Sequence, residues 1–421
     1  MFSRLSLRAM LVWLHRWVGL LLAVFLILEG VTGSVLALGS QIQSLITPQF
    51  FADPKPGIPP LKPGELATLA ELAEPKIRVG YFSVDARQAV FHVLARPDPA
   101  TGAPFPVDFD RVILDPWTGR ELGHYRDADL YQGAVNVVPF VFRLHADLTP
   151  IPLGGYGGLI LGIVAVAWSI DCFVGFYLTL PHALARFLRR WKPSWLVKWP
   201  AGAFRVNFDL HRAGGLWFWP LLFVLAWSSV MFTLAAEVYE PVMRTLFDYR
   251  SMFDDEGALP EPGSGSKEPP HLNWLEAQAV GERLVADIAR ERGFTVERPF
   301  GMAYIPEERV YTYDVVASVN VQGNGWNTGV WLDADTGALK NVFLPSGEHT
   351  GNTVETWLRA LHFADLRNWL AFRILVFIAG IVIAVLSVTG VYIWLRKRRG
   401  RVLHGLAPSA PGGAARWPQP H

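Results

Sequence analysis

The chain has 421 residues, of which 51% are hydrophobic, 13% aromatic and only 18% charged, whereas an ordinary soluble domain is about a quarter charged. Its apolar residues gather in blocks, which excludes a disordered chain and argues against one soluble globule. The net charge of +1 argues against a nucleic-acid partner, which needs a concentrated basic footprint. The single cysteine, Cys172, excludes disulfides, Cys-rich zinc sites, Cys-ligated iron–sulfur clusters and C-x-x-C-H haem attachment, so a redox centre must be held by His, carboxylate or Met.

In chain order, a first transmembrane helix is expected over 11–38, where the apolar run Trp17–Leu38 contains Glu29. An external domain follows over 42–140, then a His-bearing segment and second transmembrane helix over 141–181, whose run Leu159–Leu180 contains Asp171. A basic loop spans 182–207 and a third transmembrane helix 208–237, around the charge-free run Leu216–Ala236. A second external domain covers 240–350, a His-bearing helix and fourth transmembrane helix 353–395 around Ile374–Leu395, and a basic tail 396–421. Each run has the roughly 20 residues that a bilayer crossing takes. The first is too long for a cleaved signal peptide and lacks a clean small-residue cleavage site.

Basic residues set the orientation. Arg4, Arg8 and Arg16, then Arg186, Arg189, Arg190, Lys192, Lys198 and Arg205, then Arg396-Lys397-Arg398-Arg399 stand free of acids and belong in the cytoplasm. The long connections, of mixed charge, lie outside. A multi-pass protein of a bacterial inner membrane follows, with both termini cytoplasmic and two periplasmic domains.

The sequence is also written twice. His15-Arg16-x-x-Gly19, Asp115-x-x-Thr118-Gly119, Leu144-His145-x-Asp147 and Gly175-x-Tyr177 are matched by His211-Arg212-x-x-Gly215, Asp333-x-x-Thr336-Gly337, Leu361-His362 with Asp365, and Gly390-x-Tyr392. Asp to His is 30 and then 29 residues, and His to Gly 30 and then 28. The second copy's extra length falls in a Ser/Gly/Pro-rich stretch near 255–270, which reads as a flexible loop. The expected fold is α-helical and membrane-spanning: two parallel span–domain–span repeats, with sites shared at the interface between halves.

The external domains read as small α+β modules. A helix is expected over 274–293 from Leu275, Val280, Leu284 and Ile288, and strands over 88–94, 112–115, 310–319 and 330–333. Neither module carries a catalytic triad or a nucleotide loop. Modules closing on Asp-x-x-Thr-Gly, between spans opening His-Arg-x-x-Gly, resemble the PepSY-associated transmembrane family over roughly residues 10–400. The resemblance implies PepSY-like periplasmic domains and haem-dependent reduction of a ferric siderophore at the periplasmic face. Some relatives work with flavoprotein reductase modules; this chain shows no Gly-x-Gly-x-x-Gly fingerprint of its own.

Four of the 11 histidines occupy repeated positions. His15 and His211 stand at the cytoplasmic mouths of spans one and three, and His145 and His362 just before spans two and four on the other side. Two neutral imidazoles make a low-spin electron-transfer haem, and a pseudo-two-fold bundle would bring each pair face to face, giving two b-type haems. Arg16, Arg212, Arg143 and Arg359 are placed to pair with haem propionates. The bland alternatives are headgroup anchors and satisfied core histidines. Glu29 and Asp171, costly inside a membrane, break the symmetry because Leu225 and Leu386 stand at the matching positions; a proton path, a quinol contact and a bond to a ligand histidine are all open for them, as is a neutral buried acid.

The expected function is that of a ferric-chelate reductase fed by quinol or a cytoplasmic reductase, its substrate docked between the two domains near Trp117, Trp326 and Trp331. Its rivals are a haem-free binding or regulatory module and an iron-chelate transporter. One geometric difficulty stands out: His362 precedes Ile374 by 12 residues, about 18 Å of continuous helix. Pro150 and Pro152 can turn the chain after His145, but no proline does so after His362.

Overall fold

The computed structural model describes residues 6–251, 269–325, 327–367 and 369–406; Trp326, Arg4 and most of the Ser/Gly/Pro-rich stretch lie outside them. In chain order come α1 (Leu7–Ala37), α2 (Gly39–Ile46), α3 (Pro63–Ala73), β1 (Ile77–Val84), β2 (Ala89–Ala95), β3 (Arg111–Leu114) and β4 (Glu121–Tyr125). Then follow α4 (Val137–Ala146), α5 (Gly157–Thr179), α6 (Phe187–Trp191), α7 (Ala203–Trp217), α8 (Trp219–Thr233) and α9 (Glu240–Leu246). The rest is α10 (Trp274–Arg292), β5 (Val296–Ile305), β6 (Val310–Ala317), β7 (Thr328–Asp333), β8 (Leu339–Phe343), α11 (Thr350–His362) and α12 (Leu370–Leu406).

Helices α1, α5 and α12 are each long and apolar enough to cross a membrane, and α7 with α8 makes a fourth if the bent pair is one span. The 69° bend between α7 and α8 has a local cause. Pro220 sits in the first turn of α8, where its ring disfavours helix at the preceding residue and blocks the carbonyl four residues back. Val24 holds the matching place in α1, which runs unbroken. Small residues let α1 and α12 touch: a Cβ on Gly30 would come 2.5 Å from the Gly380 carbonyl, and the Ser34 hydroxyl donates across the interface to the Phe377 carbonyl at 2.9 Å. Close backbone approach of this kind substitutes for the missing hydrophobic drive between helices in lipid.

The eight strands form one antiparallel sheet in the order β4-β3-β2-β1-β5-β6-β7-β8. The two modules are thus halves of a single sheet, fused where Tyr81–Ser83 of β1 pairs with Gly301–Ala303 of β5. Helices α3 and α10 cover one face. Leu66, Ala67 and Ala70 pack with Trp274, Ala277 and Val285 over Phe82, Phe91, Tyr311, Tyr313 and Leu332, and the two helices meet where the Gln278 side chain accepts from the Gly64 N–H at 2.6 Å. On α10 the larger Trp274 takes the core place and leaves Leu275 47% exposed, against the expected stripe.

Each Asp-x-x-Thr-Gly motif closes a turn between neighbouring strands. The Asp115 carboxylate accepts from the Trp117 and Thr118 N–H groups at 2.8 and 3.3 Å, and Asp333 accepts from the Asp335 and Thr336 N–H groups at 3.1 and 2.8 Å. Gly119 and Gly337 then take the positive φ values of 66° and 71° that glycine tolerates best. Burial opposes ionisation of both acids, but these donors outweigh it and hold them below the usual carboxylate range.

The chain turns sharply after each histidine-bearing helix. Beyond α4, Leu148 is left-handed (φ 55°), and beyond α11, Ala364 and Arg367 are (φ 53° and 48°). Such residues cost about 1 kcal/mol or more each. At the α11 corner the sheet fixes the strained backbone: the 5%-exposed Asp365 accepts from the Gly323 and Asn324 N–H groups at 3.2 and 2.8 Å, and Arg367 pairs with Glu297 at 2.6 Å. No proline is needed, and the expected 18 Å lever after His362 does not exist.

Candidate functional site

The helix register brings the four repeated histidines into two pairs. At the basic end of the bundle, His15 on α1 faces His211 on α7 with ring centroids 6.2 Å apart and planes at 58°. At the sheet end, His145 at the end of α4 faces His362 at the end of α11 at 6.1 Å and 59°. The two geometries are nearly the same, and each pair takes one histidine from each half of the repeat. His15 and Thr32, which contacts His145, lie 17 residues apart on α1, so the two pairs stand about 25 Å apart along the bundle.

The tautomer of each ring follows from its neighbours. His15 Nδ1 lies 2.9 Å from both Asp171 carboxylate oxygens. His211 Nδ1 lies 3.0 Å from the Leu386 carbonyl and 3.1 Å from Thr389 Oγ1. His145 Nδ1 meets Thr32 Oγ1 and Glu29 Oε2, each at 2.9 Å, and His362 Nδ1 meets Ser228 Oγ at 2.7 Å. The Thr32 and Ser228 hydroxyls already donate to the Leu28 and Val224 carbonyls, so they accept from the rings. All four Nδ1 atoms therefore carry the proton, and all four Nε2 lone pairs remain for a ligand.

That is the arrangement of metal-binding imidazoles, whose second nitrogen almost always donates to a neighbouring acceptor. A metal about 2 Å from each of two opposed ring nitrogens sets the centroids roughly 6 Å apart. Among the described residues no cluster of three or more His, Cys, Asp and Glu is arranged around a bare ion. Two imidazoles at this separation suit a metal whose other four positions are already filled, as in haem.

The surroundings of the basic-end pair fit such a disc. A cavity of about 460 Å³ is lined by His15 and His211 and by one glycine from each of four helices, Gly19, Gly175, Gly215 and Gly390. Within 4 Å of a Cβ built on Gly19 or Gly215 nothing stands, whereas a Cβ on Gly175 or Gly390 would come 3.4 and 3.3 Å from the rings of His15 and His211. The first two glycines leave a flat opening one turn beyond each histidine, and the other two make room for the imidazoles. Leu20, Leu26, Trp168, Leu216 and Trp219 supply apolar walls, and Arg8, Arg16, Arg212 and Lys397 gather at the basic end. At the sheet end, a Cβ on Gly33 would come 3.2 Å from the His145 ring.

Of the four arginines expected near the cofactors, Arg16 and Arg212 line this cavity, with Arg212 anchored by the fully buried Asp209 at 2.8 Å. The other two are tied to acids: Arg143 to Asp147 at 3.3 Å and Asp127 at 3.5 Å, and Arg359 to Glu355 at 2.8 Å while stacked over Phe232. Of the openings left for Glu29 and Asp171, the structure provides the contact to a histidine.

The expectation of two separate domains with a substrate docked between them is corrected by the sheet, because β1 pairs directly with β5 and the two modules are continuous. Trp117, in the turn after β3, and Trp331, on β7, lie five strands apart, or about 24 Å at the usual strand spacing, so they do not form one contact surface. Trp326 lies outside the described residues.

Sequence reasoning missed Thr32 and Ser228. Their signal was available: each follows its repeat histidine, His15 or His211, by 17 residues. It also missed a row across the face opposite α3 and α10, in which Tyr125, Arg111, His92, Tyr81, Ala303, Thr312 and Trp331 are successive cross-strand neighbours. Tyr81, 52% exposed, stacks on His92 at 3.6 Å. Burial, and then Arg111 and Arg143, push His92 down to about 3.

A family model, PepSY-associated TM region, matches residues 12–397. The chain belongs to that family. No curated protein matches it. With its apolar helices, this PepSY-associated TM protein is a membrane protein that also carries an antiparallel sheet domain.

Proposed function

We propose that this protein is an inner-membrane haem-dependent oxidoreductase that passes electrons across the bilayer to reduce a ferric siderophore or similar ferric chelate in the periplasm. In this reading four spans form two parallel repeats, with the basic end cytoplasmic and the sheet periplasmic. The observation that carries it is the recurrence of one constellation at both ends of the bundle: two imidazoles with ring centroids near 6 Å, each held at Nδ1 by a neighbouring oxygen.

A haem at each pair, when bound, supplies a one-electron Fe(III)/Fe(II) couple between two imidazoles. The remaining work belongs to the chain. His15 and His211 hold one group and His145 and His362 the other, with ring orientation fixed by Asp171, Leu386, Thr389, Glu29, Thr32 and Ser228. Arg16 and Arg212, with Arg8 and Lys397, offer cations to propionate carboxylates, and the apolar walls exclude water. No nucleophile or general base is required, because each ferric ion takes one electron and exchanges no atom. Hard oxygen chelators hold iron(III) far more tightly than iron(II), so reduction releases the metal. Quinol or a cytoplasmic reductase is the electron source, and the open sheet face with Tyr81, His92 and Arg111 is offered to the chelate.

The test uses the full chain in liposomes with a membrane-impermeant ferric chelate and a ferrous-trapping dye on the sheet side, and a quinol in the bilayer or a flavin reductase with its nicotinamide donor on the basic side. Dye colour that depends on the protein, and is lost in His145→Ala, is expected. Chelate reduction no faster than in empty liposomes with either donor would overturn the proposal.

A further inference from the structure

Each pair contains one histidine with a carboxylate beside its Nδ1 and one with only neutral oxygen there. His15 is hydrogen-bonded to Asp171, and His145, hydrogen-bonded to Thr32, has Glu29 at 2.9 Å from the same nitrogen, while His211 has the Leu386 carbonyl with Thr389, and His362 has Ser228. Both carboxylates come from the first half of the repeat, and Leu225 and Leu386 occupy the corresponding places in the second. Thr32 and Ser228 hold their rings in matching ways, so the carboxylate is an addition at His145 and not a requirement for placing an imidazole there. A carboxylate inside a membrane is costly to keep, yet the design repeats it at both sites, about 25 Å apart.

We infer that Asp171 and Glu29 are positioning residues that set reduction potentials: Asp171 by accepting the His15 Nδ1 hydrogen bond, and Glu29 by standing 2.9 Å from His145 Nδ1, so that each favours Fe(III) at its site. An acceptor with full negative charge pulls the Nδ1 proton further than a hydroxyl or carbonyl does, and ligand basicity at Nε2 rises with it. The consequence suits the substrate class. Chelates with hard oxygen donors stabilise iron(III), so only a donor of low potential delivers an electron to them. The second-half histidines, His211 and His362, complete each pair without adding charge. This inference rests on the two-haem reading of the histidine pairs.

The experiment is an optical redox titration of the purified full-length protein at fixed pH, comparing wild type with Glu29→Gln and Asp171→Asn. Each variant keeps a hydrogen-bonding side chain of similar shape and removes the charge. The expected result is a rise at the contacted site only, by about tenfold in the Fe(III)/Fe(II) equilibrium, or ~59 mV for one electron, with both haems still low-spin. The other site in the same protein is the internal reference. Both haems retained with a shift of less than about twofold at the contacted site, or an equal shift at both sites, overturns the inference. The two carboxylates test it independently, so loss of one haem in one variant leaves the other variant decisive. A wild-type protein without haem defeats the functional proposal itself, which is a distinguishable failure.

Discussion

The two halves of the chain hold their histidines alike and support them differently. In the first half α1 runs unbroken from Leu7 to Ala37, and Asp171 and Glu29 stand beside the rings. In the second, Pro220 breaks the matching helix by 69° and hydroxyls and a carbonyl back them. Ring separations nonetheless agree to within 0.1 Å between the two pairs, at 6.2 and 6.1 Å. Each pair takes one ring from each half, so the unbroken and the bent scaffold meet at both ends with the same ring separation.

The largest effect should come from the pairs themselves. His15→Ala or His211→Ala should remove one of two haems and leave the sheet-end spectrum, and His145→Ala or His362→Ala should do the reverse. Loss of both haems from any one of these variants would mean that the two ends of the bundle do not form separate sites, as haem content in each purified variant will show.

A smaller effect distinguishes the small residues around the rings. Gly175→Val places a branched side chain 3.4 Å or closer to the His15 ring, and should weaken basic-end haem retention by about tenfold or more, in the range of changes that disturb ligand orientation. Gly33→Val should do the same only at the sheet end. Haem loss rates to a competing haem-binding protein measure both.

The corners after the histidine helices differ in how they are fixed. Asp365→Ala leaves the Gly323 and Asn324 N–H groups without their acceptor in a buried place and should cost about 1–3 kcal/mol. Asp147→Ala, whose partners Arg143 and Thr149 are in its own turn and partly exposed, should cost less. Thermal unfolding of each variant in detergent gives the ranking, and equal losses would erase the proposed difference between corners.

A further effect concerns the sheet. His92 stays neutral when folded down to about 3, whereas an unfolded histidine takes up a proton near 6.5. Between those values the unfolded state binds the extra proton, so this group's contribution to stability falls as pH drops from 6.5 toward 3. His92→Gln should flatten that slope, as unfolding midpoints at pH 7 and pH 4.5 will report. Parallel pH slopes in the two proteins would contradict the assignment.

Much of this was legible in the sequence because repetition makes position informative. The apolar runs, the turn motif at Asp115 and Asp333, and the pairing of His15 with His211 and of His145 with His362 all follow from one internal repeat. Other features depend on contacts that no spacing encodes. Pairing of β1 with β5 is a matter of which strand edges meet, and a module boundary in sequence hides it. The turn after His362 uses left-handed Ala364 and Arg367, residues with no propensity for it, stabilised from the sheet through Asp365 and Arg367. Glu29 and Asp171 stood out as costly in a membrane, but only the fold shows that each lies 2.9 Å from a ring nitrogen.

The most direct test of the account is a haem count on the purified protein: a pyridine haemochrome assay with the reduced visible spectrum, on protein expressed with abundant haem. Two b-type haems per chain are predicted. A colourless protein would contradict the account and leave the histidine pairs as structural contacts in a haem-free binding module.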